Sequence, residues 1–213
     1  MSEKRTDADK ITLGSGKIYA VAFDGTPDIE KIKAICIAAN ELGYIKGGAT
    51  VEYKGTFYDV TDDFGRVAKE VLTDEEATMK LGLITFNGSV LADLISTAKV
   101  EESNGIRTVD IGGADNYQDK SKLIVFHHED KTDGDIWVAL YGANTAGVSL
   151  AFAKDKESII EPEIKAKPMD STGLLIRYFE EIGETSNDNA ETEEEPEEPS
   201  NNENEGTEEI TNG

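Results

Sequence analysis

Cysteine, histidine and tryptophan are nearly missing from this 213-residue chain, which has one Cys, two His and one Trp. The lone Cys36 excludes an intrachain disulfide, and with His127 and His128 as the only imidazoles there are few ligands for a Cys/His zinc site. A Ser-His-Asp arrangement would draw on the same two adjacent histidines, and no nucleophile-elbow pattern is present. Basic residues are scarce as well: 21 Lys and Arg face 44 Asp and Glu, a formal charge of −23. No basic run is longer than Lys4-Arg5, which argues against a protein that grips nucleic-acid phosphates. No apolar run approaches the roughly 20 residues of a membrane-spanning helix, and the first ten residues lack the apolar stretch of a signal peptide. The expectation is a soluble protein made in the cytoplasm, with no cofactor, no metal, no membrane partner and no catalytic residue.

The acidity is unevenly distributed. Residues 184–213 contain 12 of the acidic residues and none of the basic or aromatic ones, with Ile210 as the only bulky apolar residue. Such a segment cannot bury enough apolar surface to offset the entropy of ordering, so a disordered acidic tail is expected there. The remainder, with 32 acidic and 21 basic residues, keeps a charge of −11. The reading is one folded domain over 16–183, preceded by residues 1–15 and followed by the tail over 184–213.

Within the domain, strand-like runs outnumber helical ones, which predicts a mainly β fold, an antiparallel β-sandwich with one flanking helix. Strands are expected at Lys17–Phe23, Ile106–Ile111, Lys122–Glu129, Ile136–Tyr141, Val148–Phe152 and Leu174–Phe179. Residues 28–40 fit either a short helix after Pro27 or a strand. The apolar stripe Val90, Leu91, Leu94, Ile95 and Ala98 predicts a helix over Val90–Ala98, with Ser89 as its cap and Asp93 near its first turn. Leu123 and Val125 fall on one face of their strand, Ile124 and Phe126 on the other, so both faces need cover. Trp137 and Tyr141 share a face and read as core aromatics.

The longest feature is a hairpin. The runs Phe57–Val60, Val67–Leu72 and Ala77–Phe86, the last with Met79, Leu81 and Leu83 on one face and Lys80 on the other, surround the acidic turn Asp62-Asp63-Phe64-Gly65. The resulting hairpin, Leu42 to Asp63 against Arg66 to Phe86, is longer than a small sandwich needs and suits a contact with another subunit.

Three weaker patterns read as ordinary surface features. His127-His128-Glu129-Asp130 places adjacent histidines on opposite strand faces, which keeps them from one ion, and reads as two partly exposed residues at a strand end. Leu13-Gly14-Ser15-Gly16-Lys17 imitates the end of a phosphate loop but precedes a strand instead of a helix. Asp130, Asp133 and Asp135 lack the spacing of a twelve-residue calcium loop and read as a solvated Asp-Gly turn.

The ordered strings LGYIKGGATVEY, VLTDEEATMKLGLITFNG, STAKVEE, RTVDIGG, LIVFHHEDKTDGDIWV, NTAGVSLAFAKD and LLIRYFEEI, spanning roughly Leu42 to Ile182, make the chain resemble the tail tube (major tail) proteins of siphophage-type bacteriophages. That resemblance implies a tail-tube-like sandwich whose hexameric rings stack into a tube, a negatively lined conduit for DNA, within the virion and assembled in the host cytoplasm. It implies self-association as the main partnership, with a tape measure protein, a tail terminator and a baseplate or distal tail protein as further partners, and DNA passing without specific binding. Transferred by position, the resemblance implies a long hairpin at about Lys46 to Glu76 and an N-terminal arm over residues 1–15, both making contacts between rings, with an inter-ring loop that comprises Gly47, Gly48, Asp62, Asp63, Phe64, Gly65, Thr73, Glu75 and Glu76. The inner tube of a contractile tail is a close relative of this reading. The alternative is a monomeric β-sandwich binding or decoration module of a virion or cell surface that uses the Trp137 and Tyr141 face.

Overall fold

A computed structural model describes Gly14, residues 16–152, Lys154, Asp155 and residues 157–182. Apart from Gly14, the expected N-terminal arm lies outside the described residues, as does the acidic tail. The fold is mainly β with antiparallel sheets. In chain order its elements are β1 (Lys17–Val21), α1 (Ile29–Ile35), β2 (Glu41–Gly43), β3 (Ile45–Thr61), β4 (Val67–Leu83), α2 (Gly88–Leu94), β5 (Ala98–Ser103), β6 (Ile106–Ile111), β7 (Lys122–His128), β8 (Ile136–Asn144), β9 (Glu163–Ala166) and β10 (Ile176–Glu180).

Eight strands form one sheet in the order β2-β1-β7-β8-β9-β4-β3. It forks at β8, which pairs with β10 over Ile136–Leu140 and with β9 over Gly142–Asn144. The two ends of that order, β2 and β3, are successive in the chain with only Tyr44 between them. The sheet therefore curls until its edges return to each other. At this corner Tyr44 donates its N–H to Thr85 Oγ1 at 2.6 Å and accepts from Ile84 N at 2.9 Å. Gly43, at φ +156°, leaves no room for a side chain, since a Cβ would lie 2.5 Å from the Thr85 carbonyl oxygen.

Both faces of the central strands are covered, as the sequence demands. Ile18, Ile124, Val138 and Leu140 meet Met79, Leu81, Leu83, Ile160 and Ile164 inside the curl. Tyr19, Leu123, Val125, Trp137 and Ala139 pack outward on Ile32 and Ile35 of α1 and on Met169. Each fully buried aliphatic side chain contributes roughly 1.5–3 kcal/mol from removal of apolar surface, so the two layers together hold the domain. The ambiguous segment after Pro27 is thus a helix. Asp28 caps it by accepting the Lys31 N–H at 2.8 Å, which satisfies an otherwise orphaned donor.

Several boundaries differ from the sequence reading. The second helix is Gly88–Leu94, not Val90–Ala98. Asn87, not Ser89, caps it, accepting from Ser89 N at 2.9 Å and Val90 N at 3.1 Å. Ile95 is already extended and Ala98 opens β5. Leu94, Ile95 and Ala98 are all buried, so the apolar stripe is real but continues past the helix end. Asp93 lies in the last turn, where it pairs with Lys122 at 2.6 Å. Strand β5, absent from the sequence reading, pairs with β6 through the turn Asn104-Gly105, both at positive φ, which is the Asn-Gly hairpin chemistry. Val148–Phe152 is not a strand. That place in the sheet goes to β9, whose four residues between Pro162 and Pro168 bridge β8 and β4. The last strand begins at Ile176 instead of Leu174.

Candidate assembly surface

β3 and β4 are 17 residues each and pair from Ile45↔Leu83 to Thr61↔Val67. Their core-facing stripe is Ala49 and Val51 on β3 with Met79, Leu81 and Leu83 on β4, while Lys80 points outward between Glu52 at 3.0 Å and Glu163 at 3.8 Å. β9 supports β4 only over Thr78–Lys80. The last tie to the body is the Glu76 to Lys165 ion pair at 3.4 Å. Tipward of it, among the described residues, no hydrogen bond or ion pair joins the hairpin to the body. At about 3.4 Å per residue the ribbon projects roughly 30 Å beyond its support.

The tip is an Asp-capped turn. Asp62 Oδ1 accepts from Phe64 N at 3.1 Å and Arg66 N at 3.0 Å, and its Oδ2 receives the Arg66 guanidinium at 2.8 and 2.5 Å. The Arg66 hydrogen bonds hold the Asp62 carboxyl below its ordinary pKa. Gly65 takes φ +74° to close the turn, and its N–H bonds Asp62 O at 2.9 Å. The same turn leaves the Phe64 ring 85% exposed. The Arg66 guanidinium lies over it, 5.5 Å from the centroid. Asp63 is exposed beside it.

The nine residues expected in an inter-ring loop therefore divide by position. Asp62, Asp63, Phe64 and Gly65 make the tip. Gly47 and Gly48, at φ +84° and +77°, lie in a bulge at the base, where β3 spends two extra residues between Ile45 and Ala49. Thr73 is the extra residue of a second bulge and donates its Oγ1–H to Thr56 O at 3.0 Å. Glu75 accepts from the Tyr53 hydroxyl at 2.5 Å, and Glu76 is engaged with Lys165. Asp62, Thr73 and Glu75 thus serve the hairpin's own geometry and Glu76 ties it to the body, while Asp63 and Phe64 are the side chains free to meet a partner.

Sequence reasoning missed the stem. Tyr53, Phe57 and Leu72 project from the face that continues the core stripe, with Phe57 and Leu72 flanking Gly55: a Cβ there would lie 3.1 Å from Leu72 and 3.2 Å from Phe57. Tyr58, Val60 and Val71 project from the opposite face. All six are exposed. The signal was present in Phe57-Tyr58-Asp59-Val60, where bulky apolar residues occupy both strand parities and not one.

The histidines are more deeply placed than expected. His127 and His128 are 9% and 5% exposed, not half-open. His127 stacks on Trp137 with ring centroids 4.9 Å apart and donates from Nε2 to Asp135 Oδ2 at 2.8 Å, while Lys33 sits 5.2 Å above the Trp137 ring. His128 points to the other face, toward Gly14. Asp135 also accepts from Asp130 N, and Asp130 accepts from Thr132 N and Asp133 N, so these carboxylates brace the β7–β8 turn. Beside them, burial pushes the Cys36 thiol up to about 11. Among the described residues no group of three His, Cys, Asp or Glu side chains is placed to hold a metal ion. Lys17, from the phosphate-loop-like string, pairs with Glu129 at 2.5 Å in β1.

Among the described residues no helix is long and apolar enough to cross a membrane. Compared with known proteins, the chain matches no family model and no curated protein.

Proposed function

We propose that this is a structural protein that assembles with copies of itself through the β3–β4 hairpin, as the tube-forming subunit of a bacteriophage tail. One observation carries the reading: a ribbon roughly 30 Å long that leaves the body with aromatic and aliphatic side chains exposed on both faces and at its tip. An isolated two-stranded ribbon is marginally stable in water, and exposed apolar surface of this kind marks an interaction site. Heterologous contacts between identical subunits close into rings when the rotation permits and otherwise continue as open assemblies, and stacked rings make a tube. The resemblance to tail tube proteins supplies the particular assembly: hexameric rings, a lumen through which DNA passes, and a tape measure protein, tail terminator and distal tail protein at its ends. The charge of −11 on the body suits such a conduit, because a negative wall does not hold phosphates by counterion release.

The alternative, a monomeric binding module, relied on a ligand face at Trp137 and Tyr141. Trp137 is 3% exposed beneath α1, and Tyr141 stacks on Phe23 at 4.2 Å, so those aromatics belong to the core. The test is sedimentation velocity of the full chain beside a variant in which residues 56–73 are replaced by an Asn-Gly turn. Concentration-dependent assembly of the full chain that is lost in the folded variant supports the proposal. Equal assembly of both variants, or a monomer in each case at all concentrations, overturns it.

A further inference from the structure

The two faces of the distal hairpin are unlike, and they match each other. On the face continuous with the core stripe, the cross-strand pair Phe57↔Leu72 is followed tipward by Asp59↔Glu70. On the opposite face, Tyr58↔Val71 is followed by Val60↔Lys69. Each face therefore carries an apolar pair with charge two residues nearer the tip, acidic on one face and basic on the other. The two patterns are offset by a single residue, about 3.4 Å along the strand.

Among the described residues the charges at these rims are uncompensated. Asp59 and Glu70 are like charges directly opposite one another, an arrangement that destabilises a strand pair in isolation. Among the described residues neither Asp59, Glu70 nor Lys69 has an ion-pair partner, whereas Glu52, Asp62 and Glu76 of the same hairpin each have one. Lys69 cannot relieve Asp59 and Glu70 from its own chain, because it projects from the other face.

From this we infer that the hairpins of neighbouring copies pack face to face, the Phe57/Leu72 face of one seated on the Tyr58/Val71 face of the next, with Lys69 of one copy set against Asp59 and Glu70 of the other. The inference rests on the self-assembly reading and adds its partner surface. Two ribbons stacked this way sit about 10 Å apart, as packed sheets do. The contact is heterologous, since each copy offers a different face to each neighbour, so every hairpin is held between two others and neither apolar face stays wet.

Charge exchange tests it. Lys69→Glu alone, or Asp59→Lys with Glu70→Lys, sets like charges against each other across the contact and should raise the concentration for half-maximal assembly by roughly tenfold or more. The triple variant should restore assembly, and so should an equimolar mixture of the two defective proteins, since an alternating stack then pairs opposite charges at every contact. The mixture avoids dependence on the folding of a triple variant, and melting temperatures check each component. Assembly by the wild type with no rescue in the triple variant or the mixture overturns the face-to-face packing alone. A wild type that stays monomeric throughout overturns it together with the self-assembly reading.

Discussion

Replacing Asp63 and Phe64 together by alanine separates the role of the hairpin tip from the stability of the subunit. In the subunit, Phe64 is 85% exposed, with the Arg66 guanidinium over its ring, an exposed cation–π contact worth about 0.5–1 kcal/mol. The Asp62 cap, which holds the turn through Phe64 N, Arg66 N and the Arg66 side chain, is untouched because its acceptors belong to Asp62 and its donors include only the backbone of Phe64. The melting temperature should therefore stay within about 2–4 °C of the wild type. In an assembly the aromatic ring becomes an anchor, and truncating a buried aromatic anchor costs about 2 kcal/mol or more. At 1.4 kcal/mol per factor of ten, the critical concentration for assembly should rise roughly 25-fold. Pelleting over a concentration series measures it, with circular dichroism on the same samples. An unchanged critical concentration would refute the placement of the tip at a subunit contact.

Three further outcomes follow from the body of the domain. Ile32→Ala removes a fully buried α1 side chain from the outer layer and should cost about 2–5 kcal/mol, a fall in melting temperature of roughly 5–15 °C read by calorimetry. Lys167, with Ser121, holds the Asp119 carboxyl down at about 2. The folded-state pKa lies below the ordinary one, so this pair contributes above pH 4 and its contribution fades as pH falls through about 2. Lys167→Met should therefore lose no more than about 1 kcal/mol at pH 7, both side chains being largely solvated, with denaturant melts converging on the wild type in strong acid. Cys36, pushed up to about 11 by burial, should react with a maleimide at pH 8 far more slowly in the native protein than after unfolding in guanidinium. Equal rates in the two states would contradict its placement against Trp137.

Much of the architecture was legible from alternation and turn chemistry. Met79, Leu81 and Leu83 opposite Lys80 announced which face of β4 turns inward, Asp62 to Gly65 announced the turn, and the two apolar parities of Leu123 to Phe126 announced a strand covered twice. What lay beyond reach depended on tertiary partners. Glu163 to Ala166 has no strong strand pattern and is extended because β8 and β4 leave a slot between them. Leu94, Ile95 and Ala98 look like one helical stripe, but Ala98 is recruited by β6. The burial of His127 depends on Asp135 and Trp137, residues that only the folded hairpin sets beside it. At the candidate surface the sequence pointed to the tip and overlooked the stem, since the facing of Val71 and Leu72 is set by the bulge at Thr73, which shifts the register of β4 by a residue.

Negative-stain electron microscopy of the purified full chain across a concentration series, with sedimentation velocity on the same samples, tests the central claim most directly. Self-assembly through the projecting hairpin predicts rings or hollow tubes whose fraction grows with concentration. A particle that remains monomeric throughout the series would contradict the account.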